Sequence, residues 1–232
     1  MNPPNRQGLP RAVEVAIALI ALVATVPLLA IAAAGIALTS PGPVFFRHRR
    51  AGRHGRPFAL VKFRTMRTGA SGPQVTAGTD KRITAFGRLL RQTKIDELPE
   101  FWNVVRGEMS LVGPRPEALQ YVDRSNAAWR IVMSVRPGIT DPMTLHLRNE
   151  EQLLAMAGPD PERYYREYLL PYKLRGYEQY LTERTWRRDL AVLWSTALAV
   201  AVPARTPAPS PDDIVASVQR RRMTTLHQGE TA

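Results

Sequence analysis

From Ala12 to Thr39 the chain runs apolar for 28 residues with Glu14 as its only charge and Pro27 near its middle. As a helix this stretch would be about 42 Å long, enough to cross the roughly 30 Å hydrocarbon core of a bilayer. It is longer than the apolar centre of a secretory signal peptide, and no small-residue cleavage site leads into a new N-terminus, so a membrane anchor is expected. Pro27 removes a backbone hydrogen bond and bends or breaks the helix. Arg6 and Arg11 precede the run, while Arg47, Arg49, Arg50, Arg53 and Arg56 follow it. Positive charge normally gathers on one side of a spanning helix. Basic flanks at both ends fit a helix that enters, turns at Pro27 and leaves by the same face. A Pro-kinked spanning anchor fits the residues about equally well.

Charge sharpens the picture. The 232 residues carry a net charge of +12, and no Asp or Glu occurs between Val15 and Thr79, where eight Lys or Arg residues lie between Arg47 and Arg67. Such a balance implies an anionic partner: nucleic acid, acidic lipid or a phosphorylated substrate. Directly after a membrane run, it reads as a surface resting on anionic headgroups. Within it, Ala59-Leu60-Val61 and Phe63 predict a short strand, with Lys62 and Arg64 alternating onto the opposite face, which is more commonly a solvated basic face but could instead reach a phosphate. Cysteine is absent, which excludes disulfides and thiolate metal sites, and the four histidines show no metal-ligand spacing.

The chemistry concentrates between Arg91 and Pro116, where the adjacent carboxylates of Asp96 and Glu97 lie between Arg91 and Arg115. Leu98, Phe101, Trp102 and Val105 recur at helical spacing, which places the pair at the N-terminal end of a helix, where a positive dipole favours ionised carboxylates and anionic ligands. Alone, an acidic first turn is ordinary helix grammar. Gly113-Pro114-Arg115-Pro116 reads as a stiff turn that presents its guanidinium as a fork suited to a diphosphate. A second rigid turn, Arg136-Pro137-Gly138-Ile139-Thr140, carries another basic residue.

Elsewhere, Thr68 to Thr79 reads as a mobile loop, and helices are expected over Asp80 to Arg91 and Glu117 to Val132. Another should run from Asp160 to a stop at Pro171, with Tyr164, Tyr165 and Tyr168 packed or at a membrane interface, and a further one from Lys173 to Ala201. After Pro203 the composition changes to a proline-rich linker and a polar tail expected to be largely disordered, with at most a short helix from Asp212 to Val218.

Three segments, PVFFRHRRAGRHGRPFALVKFRTM (43–66), TAFGRLLRQTKIDELPEFWNVVRGEMSLVGPRP (84–116) and VRPGIT (135–140), resemble the bacterial sugar transferase family of monotopic phosphoglycosyl transferases. The resemblance covers roughly residues 11–199. It implies a helix-rich α+β fold: a re-entrant membrane helix broken at Pro27 (1–40), one catalytic domain with short strands near its active site (41–202) and a C-terminal tail (203–232). It implies transfer of a sugar-1-phosphate from a nucleotide sugar, with UDP as the expected nucleotide, to undecaprenyl phosphate, the first membrane step of a bacterial polysaccharide or glycoconjugate pathway. Asp96 would be the nucleophile that carries the phosphosugar, Glu97 its partner, and both would place Mg²⁺. Arg91, Arg115, Lys62, Arg64 and Arg136 would meet substrate phosphates, with the catalytic domain on the cytoplasmic face of the inner membrane and no nucleic acid bound. After Thr140 the chain departs from the commonest family pattern, with Asp141 to Glu150 in place of a glycine, a tryptophan and an Asn-Gly-Arg run, and donor recognition is expected to differ there. The competing class is a non-catalytic membrane-anchored basic protein that binds anionic lipid or nucleic acid. It accounts for the charge and the anchor but not for a carboxylate pair between two rigid arginines.

Overall fold

The computed structural model describes residues 8–70, 72, 75–76, 80–201 and 209–229, with side chains up to residue 221. The expected mobile loop at 68–79 and the proline-rich linker therefore lie partly outside the described residues. The apolar run forms α1 (Arg11–Thr39), which continues through Pro27 rather than breaking there. A proline deletes one N–H from the helical ladder, and a single missing bond leaves the flanking turns helical.

Two sheets of two strands follow. β1 (Phe45–Ala51) pairs antiparallel with β2 (Pro57–Phe63), from Phe45 opposite Phe63 to Ala51 opposite Pro57. β3 (Ser110–Val112) pairs parallel with β4 (Gly138–Thr140). Between the sheets lie α2 (Ala85–Gln92), a 3₁₀ turn at Ile95–Glu97 and α3 (Glu100–Val105). Helices then dominate: α4 (Ala127–Val132), α5 (Pro142–His146), α6 (Glu150–Met156), α7 (Pro161–Tyr164), α8 (Leu170–Thr182), α9 (Trp186–Ala201) and α10 (Pro211–Gly229). The architecture is the expected helix-rich α+β.

Both ends of α1 return to this body. Ala18 packs with Leu60, Val104, Met109 and Val192, whereas Ala32 and Ile36 pack with Phe63 and Leu90. Between them Ile20, Val23, Val26 and Ile31 are exposed. Ala18 and Ile36 are about 27 Å apart along a straight helix, so α1 meets the body at two separate places with Pro27 between them. Polar ties hold each end. Glu14, buried in spite of its charge, accepts from the Leu111 backbone N–H at 3.1 Å and pairs with Arg11 at 3.2 Å. Arg64 donates from its buried guanidinium to the carbonyls of Ser40 and Pro41 just past the other end.

Pro171 does not stop its helix. α7 runs into a π-helical turn at Tyr165–Leu169 and on into α8. The wider turn absorbs a position that lacks an N–H. Tyr164 and Tyr165 belong to the largest core cluster rather than to an exposed belt. The expected helix from Lys173 to Ala201 is divided, since α8 ends at Thr182 and α9 starts at Trp186. The expected Glu117–Val132 helix is reduced to a 3₁₀ turn and α4. The expectation of a disordered tail also fails for residues 211–229. Ile214 is wholly buried in the same cluster as Tyr164 and Leu169, and Tyr164 donates to the Pro211 carbonyl at 3.1 Å. Ile214, Val215 and Val218 make only a short apolar stretch between charged ends, which gives a sequence reading little sign of such docking.

The return of both helix ends makes a topological prediction. Cysteines introduced singly at Arg6 and at Lys81 should both be shielded from an impermeant thiol reagent applied outside cells, with no background from native thiols. Pro27→Leu restores an unbroken apolar ladder and should move position 6 to the outer face. External labelling of position 6 while Pro27 is present would show an ordinary spanning anchor.

Candidate active site

The acidic pair does not sit in the first turn of an α-helix as expected. α2, capped by the Thr84 hydroxyl accepting from the Gly87 N–H at 2.9 Å, ends near Gln92, and Lys94 takes a left-handed conformation with φ of 59°. The chain then enters the 3₁₀ turn that carries Asp96 and Glu97, and Pro99 leads into α3 without a side-chain cap. With only six residues in α3, local cations dominate the site's electrostatics rather than a helix dipole.

Two of those cations converge on Glu97. Lys62, from β2, approaches its carboxylate at 2.9 Å, and Arg115 forms a two-pronged contact with both of its oxygens. Lys62 also lies 3.0 Å from Glu100, the first residue of α3. Packing explains this convergence. The buried amide of Asn103 accepts from Val61 N–H at 3.0 Å and donates to Ala59 C=O at 2.8 Å, fixing α3 against the open edge of β2 next to Lys62. Arg115 is aimed by paired turns: Gly113 N–H bonds to Thr140 C=O and Gly138 N–H to Pro114 C=O, both at 3.0 Å. A Cβ on Gly138 would collide with the Gly113 backbone, so glycine is needed for this close approach. Behind the turn, Glu117 pairs with Lys173 at 2.7 Å, and its backbone carbonyl accepts from Ala51 N–H.

The two carboxyls of the pair diverge. Burial, reinforced by the neighbouring charge of Glu97, raises the Asp96 pKa to about 6 against the opposing pull of Lys62, Arg91 and Lys94. Burial acts in the same direction on Glu97, but Arg115, Lys62 and Lys94 outweigh it and hold Glu97 well below the ordinary carboxylate range. Glu100 is raised by burial, with Lys62 opposing. Asp96 Oδ1 is buried with no hydrogen-bond partner among the described residues. Glu97 is thus a locked anion, and Asp96 is a partly desolvated carboxylate with an oxygen to spare.

That division bears on Mg²⁺. Among the described residues no group of three or more His, Asp or Glu is placed to hold a metal. Glu97 is occupied by two cations, which leaves the Asp96 carboxylate as the available ligand. A single carboxylate fits Mg²⁺ in a phosphate-transfer site, since this ion keeps several waters and takes further oxygens from substrate phosphates.

The remaining expected phosphate ligands separate. Arg91 lies near enough to Asp96 to oppose its pKa rise, but its guanidinium is held by Glu151, with Nε at 2.9 Å. Arg64 is displaced from the expected role: it is buried and ties down the residues after α1, because a strand-end arginine beside exposed carbonyls finds acceptors there first. Arg136 is displaced too, donating to Gly107 C=O at 2.9 Å in the neighbourhood of Arg11 and Arg53. Asp141, where the chain departs from the common pattern, caps α5 by accepting from the Met143 and Thr144 N–H groups. The sequence reading missed Glu100, Asn103 and Glu151. The spacing of Glu97 and Glu100, three residues apart, was the available signal for the first.

The sequence model of a family described as bacterial sugar transferase matches residues 5–203. A UDP-glucose:undecaprenyl-phosphate glucose-1-phosphate transferase of Caulobacter vibrioides is 47% identical over 119 residues, 49% of this chain and 45% of that protein. A protein of the same name from Xanthomonas campestris pv. campestris is 46% identical over 131 residues, 53% of this chain and 27% of the relative. A UDP-N-acetylgalactosamine-undecaprenyl-phosphate N-acetylgalactosaminephosphotransferase of Aeromonas hydrophila is 41% identical over 135 residues, 56% and 32%. The chain spans less than half the length of these curated relatives.

The raised Asp96 pKa makes a stability prediction. Between an unfolded pKa near 3.9 and the folded value of about 6, the folded state holds a proton that the unfolded state has lost, so stability falls as pH rises through this window. Above it the ionised carboxylate costs the fold on the order of 1–3 kcal/mol. Asp96→Asn should therefore unfold at a higher temperature than the parent at pH 7.5 and lose less stability between pH 4 and 7.5. An equal or lower Tm at pH 7.5 would contradict the desolvated carboxylate.

Proposed function

The chain belongs to the bacterial sugar transferase family, and on that basis we propose that it moves a sugar-1-phosphate from a nucleotide sugar to undecaprenyl phosphate. The observation that carries this reading is the asymmetric pair: Asp96 with an unpaired buried oxygen beside a Glu97 neutralised by Lys62 and Arg115. The names of the relatives support UDP as the nucleotide, and they differ in sugar between glucose and N-acetylgalactosamine.

Ionised Asp96 attacks the β-phosphorus of the donor. A carboxylate oxygen–phosphorus bond forms, the bond from that phosphorus to the bridging oxygen breaks, and the nucleoside monophosphate leaves with the electron pair. A phosphate oxygen of undecaprenyl phosphate then attacks the phosphorus held on Asp96, which departs as a free carboxylate. Splitting one displacement into two is a recognised use of a carboxylate nucleophile. Arg115 and Lys62 offset the negative charge that the diphosphate brings to the pair, and Arg91 does so by exchanging Glu151 for phosphate. Mg²⁺ at Asp96 would supply charge neutralisation on the donor phosphates.

The apolar α1, with both ends on the body, supports catalysis at a membrane surface where a lipid-linked acceptor is available. The proposed location is the cytoplasmic face of the bacterial inner membrane, as the first membrane step of polysaccharide or glycoconjugate assembly. A non-catalytic basic binder is less well supported. Lys62 and Arg64 are committed to internal partners rather than offered to a polyanion.

The test is a panel of nucleotide sugars incubated with the purified chain and undecaprenyl phosphate, with release of nucleoside monophosphate as the readout. One or more donors should turn over, and kcat should fall as pH drops through about 6, where Asp96 takes up its proton. Folded Asp96→Asn should lose at least about a thousandfold in kcat. Near-normal turnover by that variant would overturn the assignment.

A further inference from the structure

Glu100 is a third carboxylate in the site, which the transfer reaction as described does not use. It is 1% exposed, and neither of its oxygens makes a well-aligned hydrogen bond. A buried carboxylate in that condition needs a charge to compensate it. The Lys62 ammonium supplies one at 3.0 Å while also reaching Glu97 at 2.9 Å. Glu97 and Glu100 are three residues apart, so they flank the amine from the 3₁₀ turn and from the first residue of α3. The other charges that act on Glu100 are Glu97 and Arg115, and it acts in turn on Arg50 behind the site. Lys62 also acts electrostatically on Asp96, but among the described residues the amine is paired with Glu97 and Glu100 and not with Asp96.

We propose that Glu100 is a positioning residue that holds the Lys62 ammonium on Glu97 and off Asp96, so that the nucleophilic carboxylate keeps an unpaired oxygen. Without Glu100 the amine has one fixed partner instead of two, and Asp96 becomes its next acceptor. An ammonium on Asp96 would occupy the attacking oxygen and lower its nucleophilicity. The same shift would take positive charge from Glu97 and leave Arg115 as its main counter-ion. The proposal deepens the transferase reading and rests on it for its kinetic consequence. The arrangement of Lys62 can be read without any turnover.

The experiment uses the full-length chain in detergent, with Glu100→Leu, Glu100→Gln and Glu100→Asp. Two readouts are taken: kcat and KM from nucleoside monophosphate release, and acetylation of Lys62 by an amine-reactive ester, measured by mass spectrometry against exposed Lys81. Glu100→Leu should lower kcat at least tenfold while KM for the donor stays within about threefold, and should raise Lys62 labelling severalfold. Glu100→Gln offers a carbonyl oxygen to the amine and should keep a larger share of kcat than the leucine variant, with labelling in between. If the leucine variant does not fold, Glu100→Asp carries the test. It retains the charge but withdraws it by one methylene, and should lose kcat and gain labelling. Parental kcat together with unchanged Lys62 labelling in whichever of these variants folds would overturn the proposal. Should the parent protein release no nucleoside monophosphate, the transferase reading fails, and the labelling ratio alone still decides whether Glu100 holds Lys62.

Discussion

Three carboxylates and two cations share one nearly dry space, and the rest of the catalytic body serves to bring them there. Burying Glu97 without Lys62 and Arg115 would be prohibitive, and removing one partner of such a pair typically costs about 3–5 kcal/mol because the other charge stays buried. The cluster therefore constrains three separate parts of the chain. β2 must place Lys62, the 3₁₀ turn must place Glu97, and the Gly113–Pro116 turn must aim Arg115. Each has its own backbone lock: Asn103 on the edge of β2, the left-handed Lys94 before the turn, and the Gly113–Gly138 contact beneath the arginine. Asp96 gains from this arrangement by being left out of it. Its carboxylate is desolvated and unpaired because the cations are committed next door, a costly state for the fold and a useful one for a nucleophile.

A second set of polar contacts joins the apolar helix to this body. Arg11 donates to Met109 C=O at 2.9 Å, and Glu14 receives Leu111 N–H, so the start of α1 is tied to the strand that precedes the arginine turn. Near the same end, Asp189 is fully buried, where it accepts from the Leu9 N–H at 3.1 Å and the Tyr180 hydroxyl at 2.6 Å and pairs with Arg184 at 3.0 Å. Arg64 secures the other end of the helix. Charged groups inside an apolar environment are tolerated when every one has a partner, and here the partners fix the helix relative to the site.

Much of this was legible in the sequence, for reasons that differ between elements. The apolar run at residues 12–39 announced a membrane-length helix, though not that it continues through Pro27, and proline and glycine around Arg115 announced a stiff turn. Asp96 and Glu97 stood out because acids between rigid arginines have no purpose in a plain polyanion binder. Local pattern failed where a residue's role depends on what lies across the fold. Arg64 and Arg136 looked like phosphate ligands by charge alone, but backbone carbonyls of distant segments claim them. Glu100 was missed because only Lys62, from across the fold, bridges it to Glu97. Pro171 read as a helix stop, yet tertiary packing of Tyr165 and Leu169 holds a π turn across it. For α10, Ile214 and Val218 mark one turn of helical spacing, enough for the short helix expected but not for its docking on the core.

The central claim is that Asp96 is the atom donor to phosphorus rather than a bystander to direct transfer. Mass analysis of the purified chain after exposure to its nucleotide sugar, with undecaprenyl phosphate left out, tests it most directly. The account predicts a gain equal to one phosphosugar, mapped to the peptide containing Asp96 and discharged when undecaprenyl phosphate is added. A protein that completes transfer when both substrates are present, yet never gains that mass at Asp96 with the donor alone, would contradict it.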